Sequence, residues 1–269
     1  MQLAVAVVVA VASLSLGAAP DPRLRAGVFL HDAGKLGAAI ALYRELLAEH
    51  PHEPAAVFEL ALTLVADRQY DEGITFIEAE LKNGAQSPRL YAVLARAHAA
   101  KSQPELSLAA LERGLKVAPD NAELLYGLGA HHGAREDWPR AIDALTACAR
   151  ADPESPSGWA GLARAYEATN EPARAVAAQT HAVLARSPPP RVKASAQRVR
   201  ELASTPSQLA RMLKESGDPF FGDAPEHLVA LAHDVFRAGG DAAAELWCAE
   251  HPREVDAWRA WVKQRVPAR

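Results

Sequence analysis

The sequence predicts an all-α protein built from repeated helix pairs, and three observations support this prediction. Alanine, leucine, arginine and glutamate dominate a chain that is 49% apolar, and alternating runs of valine, threonine and aromatic residues are absent after Ser13. The 16 glycines and 19 prolines tend to fall between apolar stretches, which is typical of turns that separate helices. A period of 34 residues runs through much of the chain, and such a period is the signature of stacked repeats.

The period is clearest at positions that hold a small residue in every repeat. One such series is Ala39, Gly73, Ser107, Ala141 and Ala175, and a second is Gly27, Ala61, Ala95, Gly129 and Ala163. Two further series hold mostly larger residues: Ala26, Leu60, Leu94, Leu128 and Leu162, and Tyr43, Ile77, Leu111, Leu145 and Gln179. Small side chains let the two helices of a pair approach closely, and the larger apolar ones fill the remaining space.

The period divides much of the chain into five repeats without an insertion. They are 20–53, 54–87, 88–121, 122–155 and 156–188. Polar or proline-containing turns separate helices that are too short to be stable alone, so stability must come from stacking of repeat on repeat. The register is lost after residue 188, and we interpret 189–269 as a helical cap that contains a degenerate repeat. We expect Phe220 and Phe221 to pack against this cap.

Two repeats carry a family pattern especially clearly. Repeat five supplies Trp159, Leu162, Ala163, Tyr166 and Ala175, and repeat four supplies Leu125, Leu128, Gly129, Ala141, Leu145 and Pro153. This pattern resembles the tetratricopeptide repeat (TPR), with an aromatic residue, Leu-Gly and Tyr on the first helix, Ala and an aromatic on the second, and a closing proline. The resemblance covers residues 20–188 and implies a right-handed superhelical solenoid of helix-turn-helix repeats.

The resemblance also implies where a partner binds, because the first helices of TPR proteins line a concave groove that commonly receives an extended peptide or a helix. Carried over to this chain, it gives as candidate groove residues Phe58, Leu62, Arg96, Tyr126, Arg164 and Glu167. An apolar groove with arginines suits a peptide that combines hydrophobic anchors with an acidic residue. The lysine and asparagine with which chaperone-binding members clamp a terminal carboxylate are absent from these positions. Alternatively, the residues only pad the solenoid or contact the C-terminal helices.

Residues 1–19 carry no charged side chain and contain a ten-residue apolar run at 3–12. This run has the length of a signal-peptide core and is shorter than a membrane-spanning helix. We therefore expect export to the periplasm or cell envelope, with cleavage after Ala19. Two features leave an uncleaved anchor, a mis-assigned start or a buried helix as alternatives: no Lys or Arg precedes the run, and cleavage leaves Pro20 at the new N-terminus. Membrane contact is expected only through this segment, if it is retained.

The adjacent residues His131 and His132 raise the question of a metal site or a catalytic base. Neighbouring residues point about 100° apart on a helix, so the two imidazoles cannot readily bind one metal from the same face. His132 also falls at the packing position that holds His98 and Tyr166 in the adjacent repeats. We therefore interpret both as scaffold residues, and a pH-sensitive contact between His98 and His132 stays open.

The two cysteines are far apart in the sequence and match neither a disulfide framework nor a zinc spacing. Cys148 occupies a small-residue position and is expected to be a buried, inert thiol. Cys248 and His251 are spaced like two metal ligands, but no second pair accompanies them, so a structural role is predicted. The sequence contains no Gly-rich phosphate loop, HExxH motif or nucleophile elbow, and it predicts no catalytic residue, metal site or cofactor.

The charge pattern narrows the class of partner. The formal net charge is -4, and Lys and Arg are interleaved with Asp and Glu, which argues against nucleic acid. An excess of arginine over lysine and the abundance of alanine fit a GC-rich bacterial genome. We predict a non-catalytic scaffold that binds a protein or peptide, as an adaptor or assembly factor in a bacterial cell-envelope complex. The alternatives are a cytoplasmic co-chaperone or regulatory module, and an unrecognised activity in the C-terminal third.

Overall fold

The computed structural model describes residues 21–185, 198, 201–203 and 206–218. Within these ranges all regular secondary structure is α-helical, and consecutive helices pack as helix-turn-helix pairs, which confirms the predicted fold class for this part of the chain. Outside these ranges lie the expected signal segment at 1–19, most of 189–269, Phe220, Phe221, Cys248 and His251.

The helices of the described residues follow one another with short turns. They are α1 (Pro22–Asp32), α2 (Leu36–Glu49), α3 (Pro54–Ala66), α4 (Tyr70–Lys82), α5 (Pro88–Ala100), α6 (Pro104–Val117), α7 (Ala122–Gly133), α8 (Trp138–Ala151), α9 (Pro156–Ala168), α10 (Pro172–Leu184) and α11 (Pro206–Glu215). Each range assigned to a repeat holds two of these helices, from α1 and α2 in the first to α9 and α10 in the fifth. None of the described helices is both long and apolar enough to cross a membrane.

Local sequence explains where the helices begin. Proline is often the first helical residue, where its fixed φ suits the helix and its missing N–H leaves no hydrogen bond unmade. Elsewhere a side chain caps the helix: Glu53 accepts a hydrogen bond from the Ala56 amide at 2.6 Å, and Asn121 accepts one from the Leu124 amide at 3.0 Å. These caps satisfy amides that have no partner inside the helix.

The turn inside each helix pair is built around one residue with a left-handed backbone. These residues are Gly34, Arg68, Ser102, Glu136 and Asn170, with φ between 57° and 73°. They recur at the 34-residue period, and the amide of each bonds to the carbonyl oxygen three residues earlier. Only the first is glycine, and each of the others adopts a conformation that costs about 1–2 kcal/mol for a residue with a Cβ. The turn geometry therefore repeats even where the sequence of the turn does not.

The chain divides into two compact units, 1–68 and 69–269. In the first unit, helices α1, α2 and α3 pack on one another around the fully buried Tyr43, Leu46 and Leu64. Gly27 lies directly against the Tyr43 ring, because a Cβ at this position would lie 2.3 Å from Cε1 of that ring. Arg23 of α1 donates hydrogen bonds to the carboxylate of Glu49 at the end of α2, at 2.7 and 2.9 Å.

The second unit begins with α4 and continues through α11. A core cluster of this unit surrounds Leu145 of α8, which packs between α7 and α9 and is almost fully buried. A Cβ on Gly129 of α7 would lie 2.5 Å from the Leu145 Cγ, and a Cβ on Gly161 of α9 would lie 2.7 Å from its Cδ2. These two glycines therefore let three successive helices close on a single leucine.

The last helix pair contacts the described part of the C-terminal segment. α11 packs against α10. The buried His181 ring of α10 stacks on Trp159 with the ring centroids 4.2 Å apart, and its Nε2 lies 3.0 Å from an Asp218 carboxylate oxygen. Arg198 donates to both carboxylate oxygens of Glu167 at 2.8 to 3.1 Å. The C-terminal segment therefore binds the carboxylate of Glu167, a residue that the sequence places in the groove.

Candidate functional site

An open pocket of about 770 Å³ lies in the second unit, between α5, α6 and α7; we call it the α5–α7 pocket. Helix α5 contributes Ala92, Ala95, Arg96 and Ala99. Helix α6 and the residue in the turn before it contribute Ser102, Pro104, Ser107 and Leu111. Helix α7 and the two residues that follow it contribute Glu123, Tyr126, Gly127, Ala130, His131, Ala134 and Arg135.

The spacing of these residues explains why the pocket exists. The residues of α5 and α7 recur every three or four positions, so each helix presents a single face to the pocket. Those faces are largely alanine and glycine, and such short side chains leave the space between the helices unfilled. Gly127 also gives room to Leu111 at the base, because a Cβ there would lie 2.7 Å from the Leu111 Cδ2. The surface of the pocket is thus mainly apolar, as in many ligand sites. Charged or polar groups are added to it by Arg96, Glu123, His131 and Arg135.

Arg96 is the first charged group of the pocket. It lies on α5, is exposed to solvent and has no ion-pair or hydrogen-bond partner among the described residues. A guanidinium without a competing partner offers its fork of N–H donors to a carboxylate from outside. Arg96 is therefore able to bind an anion without first breaking a contact with a described residue.

Arg135 is the second cation, and it is held by two neighbours. Its Nη1 lies 2.7 Å from Nε2 of His131, and its Nη2 donates to a carboxylate oxygen of Glu105 at the start of α6. The Glu105 side chain is 77% exposed, and ion pairs this open to water contribute little to stability. A carboxylate that enters the pocket can therefore compete with Glu105 for the Arg135 guanidinium.

His131 lies within the pocket lining as a neutral imidazole. Because its Nε2 accepts a hydrogen bond from Arg135, the ring proton is assigned to Nδ1. Partial burial lowers the pKa of His131, and the adjacent Arg135 and His132 lower it further. His132 lies beside it with its ring nearly perpendicular and its Nδ1 3.7 Å from an Asp137 oxygen. The two adjacent histidines therefore have different partners and do not share a ligand position.

The structure places the groove residues derived from sequence as follows. Arg96 and Tyr126 both line the α5–α7 pocket. Arg164 is exposed on α9 and does not line it, and Glu167 is bound by Arg198. Phe58 and Leu62 lie on α3 in the first unit, where Phe58 is buried and Leu62 is half-buried. Glu167 thus contacts Arg198 of the C-terminal segment.

Two polar groups that line the pocket, Arg135 and His131, are not among the groove residues that the sequence predicts. The sequence pattern assigns the histidine to the scaffold, and the arginine lies beyond the end of α7, outside the helical positions compared between repeats. A signal was nevertheless present: Lys101 precedes Arg135 by one period, and the acidic residues that pair with them, Asp71 and Glu105, are also one period apart. A search of the turns for repeated charge would have found this site.

Cys148 is buried on α8, as its small-residue position predicts. Its Sγ lies 3.2 Å from the Ala122 carbonyl oxygen, and burial raises the pKa of the thiol to about 11. Since the thiolate is the reactive form, this cysteine is unreactive at neutral pH. Among the described residues, no three His, Cys, Asp or Glu side chains are grouped so that they could hold a metal ion.

The helix pairs and the pocket define a helical-repeat scaffold for binding other proteins. Family models described as tetratricopeptide repeat match residues 30–97, 93–132 and 130–189, which together span more than half of the chain. The chain therefore belongs to the tetratricopeptide repeat family, as its sequence pattern indicates. Proteins of this family generally serve as protein–protein interaction scaffolds that bind protein or peptide partners.

Solved structures with a similar fold include a thermophilic TPR protein of Thermus thermophilus. It is 20% identical with a TM-score of 0.51, and the match covers 72% of this chain and 96% of that one. The Cut9–Hcn1 hetero-tetramer of the APC/C is 17% identical with a TM-score of 0.56, over 78% of this chain and 42% of that one. At such identities the similarity shows the fold alone. No curated protein sequence matches this chain significantly.

Proposed function

We propose that this chain is a non-catalytic adaptor or assembly factor that holds a peptide of its partner in the α5–α7 pocket. The pocket itself is the observation that carries the proposal. Its volume of about 770 Å³ falls in the range typical of ligand sites, and its small apolar side chains can bury the anchor residues of a peptide. Tyr126 adds a large amphipathic surface of the kind that is enriched among residues that dominate binding energy.

Arg96 supports a partner with an acidic residue. The guanidinium borders an apolar surface and is unpaired among the described residues, so a carboxylate beside it gains charge-assisted hydrogen bonds. Apolar anchors and one carboxylate together give both affinity and register, because the anchors are buried while the charge fixes the position of the chain. A short apolar peptide with an acidic residue is the ligand that fits best.

Export to a bacterial cell envelope is the second part of the proposal. It is supported by the uncharged, apolar segment at 1–19 and by the bacterial character of the composition. An adaptor there would hold one component of a multiprotein complex through the pocket. The export part is tested by fractionating cells that express the full chain and measuring the N-terminus of the native protein by mass spectrometry. A cytoplasmic protein with residues 1–19 intact would support a regulatory module instead.

Peptide binding is tested by selecting from a displayed random-peptide library against the full chain and measuring affinities by fluorescence anisotropy. The Ala130→Trp variant fills the pocket from an exposed position, so we expect it to lose at least about 1.4 kcal/mol, or tenfold, in affinity. Ala109→Trp is the matched control, because it places the same side chain on an exposed face of α6 outside the pocket lining.

The role of Arg96 is tested by reversing its charge. Arg96→Glu should lower the affinity for selected acidic peptides about tenfold or more. It should not lower the melting temperature, since the side chain is exposed. Arg150→Glu makes the same change at an exposed position on α8, outside the pocket lining, and should leave the affinity unchanged. Equal losses in both variants, or unchanged binding in Ala130→Trp, would overturn the assignment of the pocket as the peptide site.

A further inference from the structure

We infer that the α5–α7 pocket selects a dipolar peptide, with an acidic residue at the end beside Arg96 and Arg135 and a basic residue at the end beside Glu123. This inference rests on the proposed function, since it specifies the ligand of the same pocket. It depends on how the pocket distributes its charges along α7, which is independent of the apolar lining that supports peptide binding itself.

The charged residues of the pocket are separated along the helix. Glu123 lies in the first turn of α7, and Arg135 lies two residues beyond the end of α7, twelve residues later. The Arg135 guanidinium folds back to His131, since its Nη1 lies 2.7 Å from the His131 Nε2. His131 is eight residues from Glu123, or about 12 Å along the helix at about 1.5 Å per residue. Arg96 is equivalent in the repeat to Ala130, which is closer to Arg135 than to Glu123. The two cations thus share one end of the pocket, and the anion lies at the other.

Each charge is available to a ligand. Arg96 and Glu123 are exposed, and neither has an ion-pair partner among the described residues. Arg135 is paired with Glu105, but this contact is solvent-exposed and the acid lies outside the pocket lining. A ligand carboxylate between the two arginines would therefore replace a weak exposed ion pair with contacts to two guanidinium groups.

The separation of the charges sets the spacing that a ligand needs. An extended chain advances about 3.3 Å per residue, so about four residues span 12 Å. The middle of such a segment would lie against Ala92, Ala95 and Tyr126, where small or apolar side chains fit. The ligand class is therefore an extended segment with one basic and one acidic residue about four positions apart and apolar residues between them.

Three displayed peptide libraries test this inference with the full chain. Each has five positions with the inner three randomised among apolar residues, and the end residues are Lys and Glu, both Glu, or both Lys. The Lys/Glu library, displayed in both chain directions, should give the strongest enrichment. Glu123→Lys should shift the enrichment about tenfold toward the Glu/Glu library, and Arg96→Glu with Arg135→Glu should shift it toward the Lys/Lys library.

Controls separate failure of the inference from failure of the proposed function. Glu123→Gln removes the charge without placing a cation at the helix N-terminus, and Asp143→Lys changes an exposed charge on α8 outside the pocket. Binders that are blocked by Ala130→Trp but show no charge preference, or the same preference in the charge-reversed variants, would overturn the dipolar ligand and leave the peptide site intact. If no library gives binders that Ala130→Trp blocks, the proposed function fails and the inference fails with it.

Discussion

The contact between α7 and α8 and the pocket between α5 and α7 both depend on small residues of α7, yet one is closed and the other open. On α7, Gly129 faces Leu145 of α8, and the leucine fills the space that the glycine leaves. The next residue, Ala130, is exposed and lines the α5–α7 pocket. Adjacent small residues on one helix thus serve opposite purposes, and what distinguishes them is the side chain that faces each one.

This difference shows how a repeat scaffold keeps a binding surface without weakening its core. The large residues of α8 point into the pair that they stabilise, whereas the faces of α5 and α7 that line the pocket are mostly alanine and glycine. Stability of a repeat array comes from contacts within and between neighbouring repeats, so a surface that lies outside those contacts is free to vary. The following predictions test this separation of packing from binding.

The largest expected effect is that of Gly129→Leu on stability. The Cβ alone would lie 2.5 Å from the Leu145 Cγ, and Leu145 is buried between α7 and α9, so the helices must move apart. We expect the free energy of unfolding to fall by about 3 kcal/mol or more, measured by urea denaturation. Ala130→Leu makes a similar enlargement one residue later, toward the open pocket, and should change the free energy of unfolding by less than about 0.5 kcal/mol. Similar losses in both variants would contradict the distinction between closed and open contacts.

Closed contacts of this kind could be predicted from the sequence, whereas the open pocket could not. The 34-residue period predicts a small residue at Gly129 and a larger apolar residue at Leu145, and it predicts that such residues let paired helices pack closely. The structure adds that these two residues face each other. Arg135 was missed, since its role depends on a turn whose geometry recurs while its residues change, as the left-handed Ser102 and Glu136 show. Contact of a groove residue with the C-terminal helices is one of the alternatives that the sequence leaves open, but the period does not identify Arg198 as the partner of Glu167, because residue 198 lies outside the repeat register.

A smaller effect is expected at Gln179, which occupies in the fifth repeat the position that Leu145 holds in the fourth. Gln179 is 5% exposed, and its Oε1 has no hydrogen-bond partner among the described residues. A buried polar atom without a partner costs about 1–3 kcal/mol, so Gln179→Leu should raise the free energy of unfolding by about 1 kcal/mol. Urea denaturation tests this, with Gln179→Glu as a comparison that should be destabilised. A loss of stability in the leucine variant would mean that position 179 is not equivalent to the apolar packing position that Leu145 holds in the fourth repeat.

The smallest expected effect is a dependence of peptide binding on pH through His131. In the free protein, burial lowers the pKa of His131, and the adjacent Arg135 and His132 lower it further. Glu105 and Glu112 of α6 act in the opposite direction, and Arg96 of α5 lines the same pocket. A bound carboxylate beside Arg135 favours the protonated imidazole and so raises the pKa of His131 in the complex. By linkage, affinity must then increase as the pH falls through the interval between the two pKa values.

We expect an acidic peptide to bind about two- to fivefold more tightly at pH 5.5 than at pH 7.5, measured by fluorescence anisotropy. The peptide carboxylate itself stays ionised over this range, since its ordinary pKa is about 4. His131→Gln keeps a polar side chain that does not titrate, and it should bind equally at both pH values. His98→Gln removes a histidine of α5 that does not line the pocket, so it should retain the wild-type dependence. An unchanged pH dependence in His131→Gln would show that the carboxylate binds away from Arg135.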